Sequence, residues 1–174
     1  MKYSLPSRIL HWLMAAIILF LIGLGIYMTE FLSKEAPNRM EIYGLHKSLG
    51  VLVLALIFVR IINRLIYGAP ALPATLPTWE KILAHLANAA LYFLMIATPL
   101  SGYLMSNLSG YPVAFFGRQL PFIAEKNPDL GMFFHHAHTI LAYGLLAIIT
   151  LHIAAVIKHK FFDKPEHDVL NRML

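Results

Sequence analysis

Along this chain, apolar residues collect into long runs that charged residues bound but rarely enter. The first run, Ile9 to Met28, holds no charged residue over twenty positions. That is about the length an α-helix needs to cross a hydrocarbon core of roughly 30 Å. Two further uncharged runs, Ile82 to Met105 and Leu130 to Ile157, predict two more spans. Between Lys47 and Arg60 the uncharged stretch is only twelve residues, short of the ~17 usually required. Extending it from about Tyr43 through Ile66 gives spanning length, and it places Arg60 within or near the hydrocarbon. A guanidinium there must snorkel to the interface or meet an anion. The pattern predicts an all-α protein, an integral membrane four-helix transmembrane bundle. It forms one domain over residues 1–174, with helices at about 8–29, 43–66, 81–105 and 133–160.

Composition agrees with a bilayer as solvent. The chain is 59% hydrophobic and 13% charged, against roughly 45–50% apolar content in soluble domains, and its mean hydropathy is +0.66. The net charge of +5 is spread over the ends of the apolar runs, so no basic face for nucleic acid is expected. Lys2 and Arg8 ahead of the first run raise the question of a signal peptide. Thr29, Glu30, Phe31 and Leu32 offer no small-residue cleavage site, and an uncleaved helix is expected.

Four spans put both termini on one side of the membrane. The tails and the middle loop carry nine Lys and Arg residues, among them Lys2, Arg8, Arg60, Arg64, Lys81 and Lys158. The other two loops carry five: Lys34, Arg39, Lys47, Arg118 and Lys126. By the positive-inside rule both termini of this multi-pass chain are expected in the cytoplasm. Gly68 to Thr78, with three prolines, reads as a stiff inner connection, and Ser106 to Asp129 as a longer outer segment. The aromatics of Tyr111 to Phe122 suggest that this part lies along the outer interface.

The absence of cysteine excludes disulfides, thiolate metal sites and covalent c-type haem. Nine histidines in so apolar a chain therefore stand out, because polar side chains inside a membrane are costly and are usually kept for a task. His138 and His152 are fourteen residues apart on the fourth helix, which separates them by about 21 Å along the axis and returns to nearly the same face. His11 lies near the inner end of the first helix and His46 near the outer end of the second. Depth then pairs His11 with His152 inside and His46 with His138 outside. Two histidines facing each other across a bundle core, one pair per leaflet, is what bis-histidine haem needs. Ala15, Gly50 and Ala142 leave space one turn along the same faces. Arg60 follows His46 by fourteen residues, at the depth of the inner pair, with Arg64 one turn on; a haem propionate would supply the missing anion.

Each histidine has a blander reading as an interhelical hydrogen-bonding residue. On spacing alone His85, at a depth similar to His11, competes for the inner site. His135 and His136 read as interfacial, His159 as a surface residue between Lys158 and Lys160, and His167 as part of the tail. Trp12, Tyr103 and Tyr111 read as interface anchors, and the scattered methionines as packing residues.

Several short motifs, in this order and spacing, resemble the bacterial cytochrome b561 family of small four-helix di-haem inner-membrane proteins. They are His11-Trp12, His46-Lys47-Ser48-Leu49-Gly50 followed by Arg60 and Arg64, His85-Leu86, Gly102-Tyr103, and His138 with His152. The closing Lys158-His159-Lys160-Phe161-Phe162-Asp163-Lys164 stretch is similar as well. The resemblance implies that the first, second and fourth helices supply the haem ligands, which favours His11 over His85. The implied axial set is His11, His46, His138 and His152, holding two non-covalent haem b groups. It also implies exchange with the quinone pool, with ubiquinone as acceptor and an outer donor such as superoxide, as in a superoxide:ubiquinone oxidoreductase.

Lys158 and His159 are the candidate quinone-side residues, since groups that carry protons at headgroup level can support quinone protonation. Lys47, Arg118 and Lys126 are candidates for steering a small anion; the competing reading pairs them with Glu41, Glu125 and Asp129. Two other function classes compete with the electron-transfer reading. One is a haem-b membrane anchor for a larger dehydrogenase or hydrogenase, the other a non-redox metal or proton transporter.

Overall fold

Ser4 sets the start of the first helix. Its hydroxyl accepts the Ser7 N–H at 3.4 Å and Pro6 occupies the opening turn, where a missing N–H costs nothing. In the computed structural model, which describes residues 2–174, α1 spans Leu5–Ile26 and continues through a π-helical turn, Tyr27–Phe31. α2 spans Arg39–Tyr67, α3 Thr78–Leu108 and α4 Pro128–Phe161. All four are long and apolar enough to cross a membrane.

Every helix begins before the apolar run that announces it, and all but α1 also outlast it. The capping signals lie outside those runs. Asn127 caps α4 by accepting the Leu130 N–H at 3.1 Å, with Pro128 next. α2 stops at Gly68, whose φ of 66° a side chain would resist. The outer segment read from sequence as Ser106 to Asp129 is shorter, because α3 and α4 each run into it. α3 continues to Leu108, and a short antiparallel hairpin follows, β1 (Ala114–Phe115) against β2 (Arg118–Gln119). Phe116, at φ 46°, and Gly117, at φ 91°, make its tight turn.

Close backbone packing links α1 to α2, α2 to α3, and most extensively α3 to α4. α4 therefore faces α1 and α2 across a wider gap, bridged by side chains. The enclosed apolar core is small: Met14, Ile18, Val53, Ile57 and Leu145. Its members sit midway along their helices. Ile18 is seven residues from both His11 and Gly25, Val53 seven from both His46 and Arg60, and Leu145 seven from both His138 and His152. A dry apolar layer thus separates two polar levels. Outward, large apolar side chains such as Phe20, Phe58, Leu86, Phe93, Ile140 and Leu151 are exposed, the skin expected of a bundle whose solvent is lipid.

Candidate functional site

Two histidine pairs occupy the two polar levels. At the end that carries the termini, His11 of α1 faces His152 of α4 with ring centroids 6.3 Å apart and planes at 61°. At the opposite, loop end, His46 of α2 faces His138 of α4 at 6.4 Å and 81°. The fourteen-residue spacing within α4 produces both levels, because it returns to one face after about 21 Å.

The loop-end pair is held by α3. His138 donates its Nδ1–H to the Thr98 carbonyl at 2.9 Å, and the Ser101 hydroxyl, 3.2 Å from the same nitrogen, donates to that carbonyl at 2.7 Å. A carbonyl can only accept, so the proton is on Nδ1 and the lone pair on Nε2. That is the tautomer of a histidine ready to bind a metal, with its other nitrogen fixed by a backbone acceptor. Glycine gives the rings their room. A Cβ at Gly102 would lie 3.0 Å from His138 Cε1, and one at Gly25 would lie 3.5 Å from His46 Cε1.

The terminal-end pair is held differently. Arg60 donates through Nη2 to His11 Nδ1 at 3.2 Å, its guanidinium carbon lies 6.0 Å from the Tyr92 ring centre, and its Nη1 is enclosed without a partner. Arg8 Nε is likewise enclosed and unpartnered, and Arg64 lies over the Tyr3 ring at 6.0 Å. Beneath them Asn63 donates to the Ser7 hydroxyl at 2.6 Å, a buried tie between α2 and α1. Unsatisfied guanidinium donors at this depth call for an anion.

These residues fit an iron porphyrin gripped from both faces. Metal–imidazole nitrogen bonds of about 2.0–2.1 Å, with each nitrogen roughly 1.2 Å from its ring centre, put two ring centres about 6.4 Å apart across a shared metal. Both pairs have that separation. The orphaned Arg60 Nη1 suits a carboxylate, and the orphaned His46 Nδ1 marks a second enclosed polar atom that the protein alone leaves unsatisfied.

The remaining sequence candidates fall into two groups. Lys158 bonds Glu80 at 2.9 Å and Asp163 at 3.1 Å, while His159 Nδ1 contacts Asp163 at 2.6 Å and its Nε2 lies 3.9 Å from Glu80. Hydrogen bonds from Lys158 first, then His159, hold the Asp163 carboxyl below the ordinary aspartate value. His167, read from sequence as part of the tail, is buried, bonds Thr75 at 3.0 Å and lies 3.9 Å from Asp163. At the loop end Lys47 bonds the Pro112 carbonyl at 3.1 Å and lies 5.8 Å from the Tyr111 ring centre. Arg118 is exposed on β2, and the Lys126 stem lies against Gly110. Among the described residues no ion pair joins Lys47, Arg118 or Lys126 to Glu41, Glu125 or Asp129. His85, His135 and His136 are exposed. Trp12 and Tyr103 bond within the protein, to the Met173 and Pro121 carbonyls.

Sequence reasoning missed Ser101 and the Thr98 carbonyl, Gly25, and Glu80 with Asp163. Gly25 had a signal: it lies fourteen residues after His11, hence on the same face one level away. The backbone carbonyl had none.

A transmembrane four-helix bundle with facing histidines at two depths defines the class of membrane proteins that hold a cofactor for electron transfer between their helices. A sequence model of the prokaryotic cytochrome b561 family matches residues 2–174. The chain is similar to Cytochrome b561 homolog 2 of Escherichia coli (strain K12), at 32% identity over 99% of this chain and 91% of that protein. It is similar to the Yersinia pestis protein named Probable superoxide oxidase CybB, at 27% identity over 94% of this chain and 91% of the relative. Cytochrome b561 homolog 1 of Escherichia coli (strain K12) is 22% identical over 94% and 92%. The chain belongs to the prokaryotic cytochrome b561 family. It is a multi-pass bacterial membrane protein of electron transfer, in a family whose members bind haem b.

Proposed function

We propose that this protein holds two haem b groups, one between His11 and His152 and one between His46 and His138, and passes electrons from a donor outside the cell membrane to ubiquinone inside. The observation that carries this reading is the two pairs of facing imidazoles, at 6.3 and 6.4 Å. Bound haem would supply a one-electron couple at each level.

The protein's own residues bind, orient and protonate. Thr98 and Ser101 hold His138 in the ligating tautomer, and Arg60 and Arg64 offer guanidinium donors to the carboxylates of the terminal-end haem. The excess of Lys and Arg at the terminal end supports a cytoplasmic position for that end and both termini. Lys47, Arg118 and Lys126 then lie on the outer side, where they raise the local concentration of a small anion such as superoxide. The relative named as a superoxide oxidase supports that donor. On the inner side Lys158 and His159 face the quinone. Two superoxide ions give up one electron each and leave as dioxygen, while ubiquinone takes two electrons and two protons to become the quinol. His159, hydrogen-bonded to Asp163, gives a proton to a quinone oxygen and recovers one from water through the Asp163 carboxylate.

Haem counted per purified chain tests the reading, with the superoxide-driven reduction of a soluble quinone followed by stopped flow. Two haems with a reducible b-type spectrum are expected, with one lost in His11→Ala and none in His85→Ala. Loss of haem in the His85 variant alone would reassign the inner ligand. Haems that superoxide leaves oxidised would remove that donor.

A further inference from the structure

The two histidine levels are chemically unequal, and the inequality has a sign. At the loop end, His138 gives its Nδ1–H to the Thr98 carbonyl at 2.9 Å. Donation to a carbonyl makes the imidazole a stronger electron donor through Nε2, which favours the oxidised, more positive form of a bound iron. At the terminal end no carbonyl contact to either His11 or His152 is present among the described residues. Instead a guanidinium, always charged, lies 3.2 Å from the His11 ring. A fixed cation so close, partly buried and with one nitrogen enclosed, disfavours the form with the extra positive charge and so favours the reduced iron.

The sign survives rearrangement of Arg60. A metal on His11 Nε2 requires the proton on Nδ1, and that N–H would push the guanidinium away towards an anion. Its Nη1 is already enclosed and without a partner. If it pairs with a haem carboxylate, it cancels that group's negative charge at the terminal-end level. Lys47 is the cation nearest in sequence to the loop-end pair, but its half-buried ammonium is engaged by the Pro112 carbonyl and the Tyr111 ring, and among the described residues no hydrogen bond joins it to either imidazole, as one joins Arg60 to His11.

We propose that Arg60 and the Thr98 carbonyl set the two sites at unequal redox potentials, the His11–His152 site being the higher, so that an electron entering at His46–His138 comes to rest at His11–His152. This rests on the two-haem reading and gives its inward flow a driving force, which positive-inside topology by itself does not supply. Arg60 acts here as a potential-setting residue beside the His11 level, with no contact to the reacting donor or quinone.

Potentiometric titration of the purified, haem-loaded protein provides the test, read in the α-band without any turnover assay. The wild-type protein gives two waves. In Arg60→Gln the upper wave falls towards the lower, which stays in place, while Arg60→Lys, keeping the cation, holds most of the separation. Ser101→Ala leaves the Thr98 carbonyl to His138 alone, and the lower wave falls while the upper stays. A fully loaded Arg60→Gln protein with an unmoved upper wave, or one in which the lower wave moves instead, overturns the inference. So does an Arg60→Lys protein whose upper wave falls as far as in Arg60→Gln. If Arg60→Gln fails to take up both haems, the lysine and Ser101 variants decide, and a lower wave unmoved in Ser101→Ala removes the outer half. A wild-type protein that carries one haem or none is a failure of the two-haem reading, seen before any variant is titrated.

Discussion

At the scale of single residues, the loop-end histidine depends on atoms that are missing from its neighbours. Gly102 lets α3 approach the His138 ring so closely that a Cβ would lie 3.0 Å from Cε1 and 3.1 Å from Nδ1. Replacing Gly102 by alanine is expected to push the ring off the Thr98 carbonyl, destabilise the fold by about 1–3 kcal/mol, and lower haem content at that level alone. The control is Gly144→Ala, whose Cβ would meet Leu94 at an ordinary 3.9 Å and should leave both haem content and the thermal midpoint unchanged. His46, His138, His152 and Arg60 were legible in the sequence, since fourteen-residue spacings on long apolar helices fix both depth and face, whereas His11 was separated from His85 only by the family resemblance. Thr98 was not, because what it contributes is a backbone oxygen, and no residue identity advertises that.

At the scale of elements, Ser48 ties the loop-end hairpin to the bundle. Its hydroxyl donates towards the Gly44 and Ala114 carbonyls at 2.8 and 3.0 Å and accepts the Phe116 N–H at 3.1 Å. Ser48→Ala leaves Phe116 N–H and Ala114 C=O without this partner, a loss of about 1–3 kcal/mol concentrated in the hairpin. Hydrogen exchange measured by mass spectrometry should therefore quicken over residues 112–120 and remain unchanged in mid-α2. The spans were readable because twenty uncharged residues have few other fates. The hairpin was not, since β1 and β2 are two residues each and their register is set by a serine on another element. The buried Asn63–Ser7 bond between α2 and α1 escaped for the same reason: neither residue sits in a motif. Asn63→Leu should lower the denaturation midpoint in detergent by the equivalent of about 1 kcal/mol.

At the scale of the whole molecule, the terminal end is laced by ions and the loop end by hydrogen bonds. Asp163 joins the end of α4 to Glu80 at the start of α3 through Lys158 and His159. Lys160 holds Asp168 at 2.5 Å. Both aspartates titrate below the ordinary value of 3.8, held down chiefly by Lys158 and Lys160 respectively. The unfolded chain therefore binds more protons than the folded one between the lowered pKa values and 3.8. Stability from these contacts is whole above that window and is lost as pH falls through it. Thermal unfolding of the detergent-solubilised protein should show this acid-side decline, and Asp163→Asn should flatten it while leaving the neutral-pH α-helical spectrum intact.

The apolar layer of Ile18, Val53 and Leu145 has an electrical consequence. It holds the two histidine levels about 21 Å apart, some two thirds of a hydrocarbon core of roughly 30 Å. An electron moving between them is a charge displaced through most of the membrane's voltage drop, worth about 1.5 kcal/mol per 100 mV at ~2.3 kcal/mol for a full crossing. With the interior negative, the inward transfer proposed above would work against that field, which would make the cytochrome electrogenic and two haems, one at each level, voltmeters. In sealed vesicles, an imposed inside-negative diffusion potential should shift reduced haem towards the outer level, and collapsing it with an ionophore should send the electrons back.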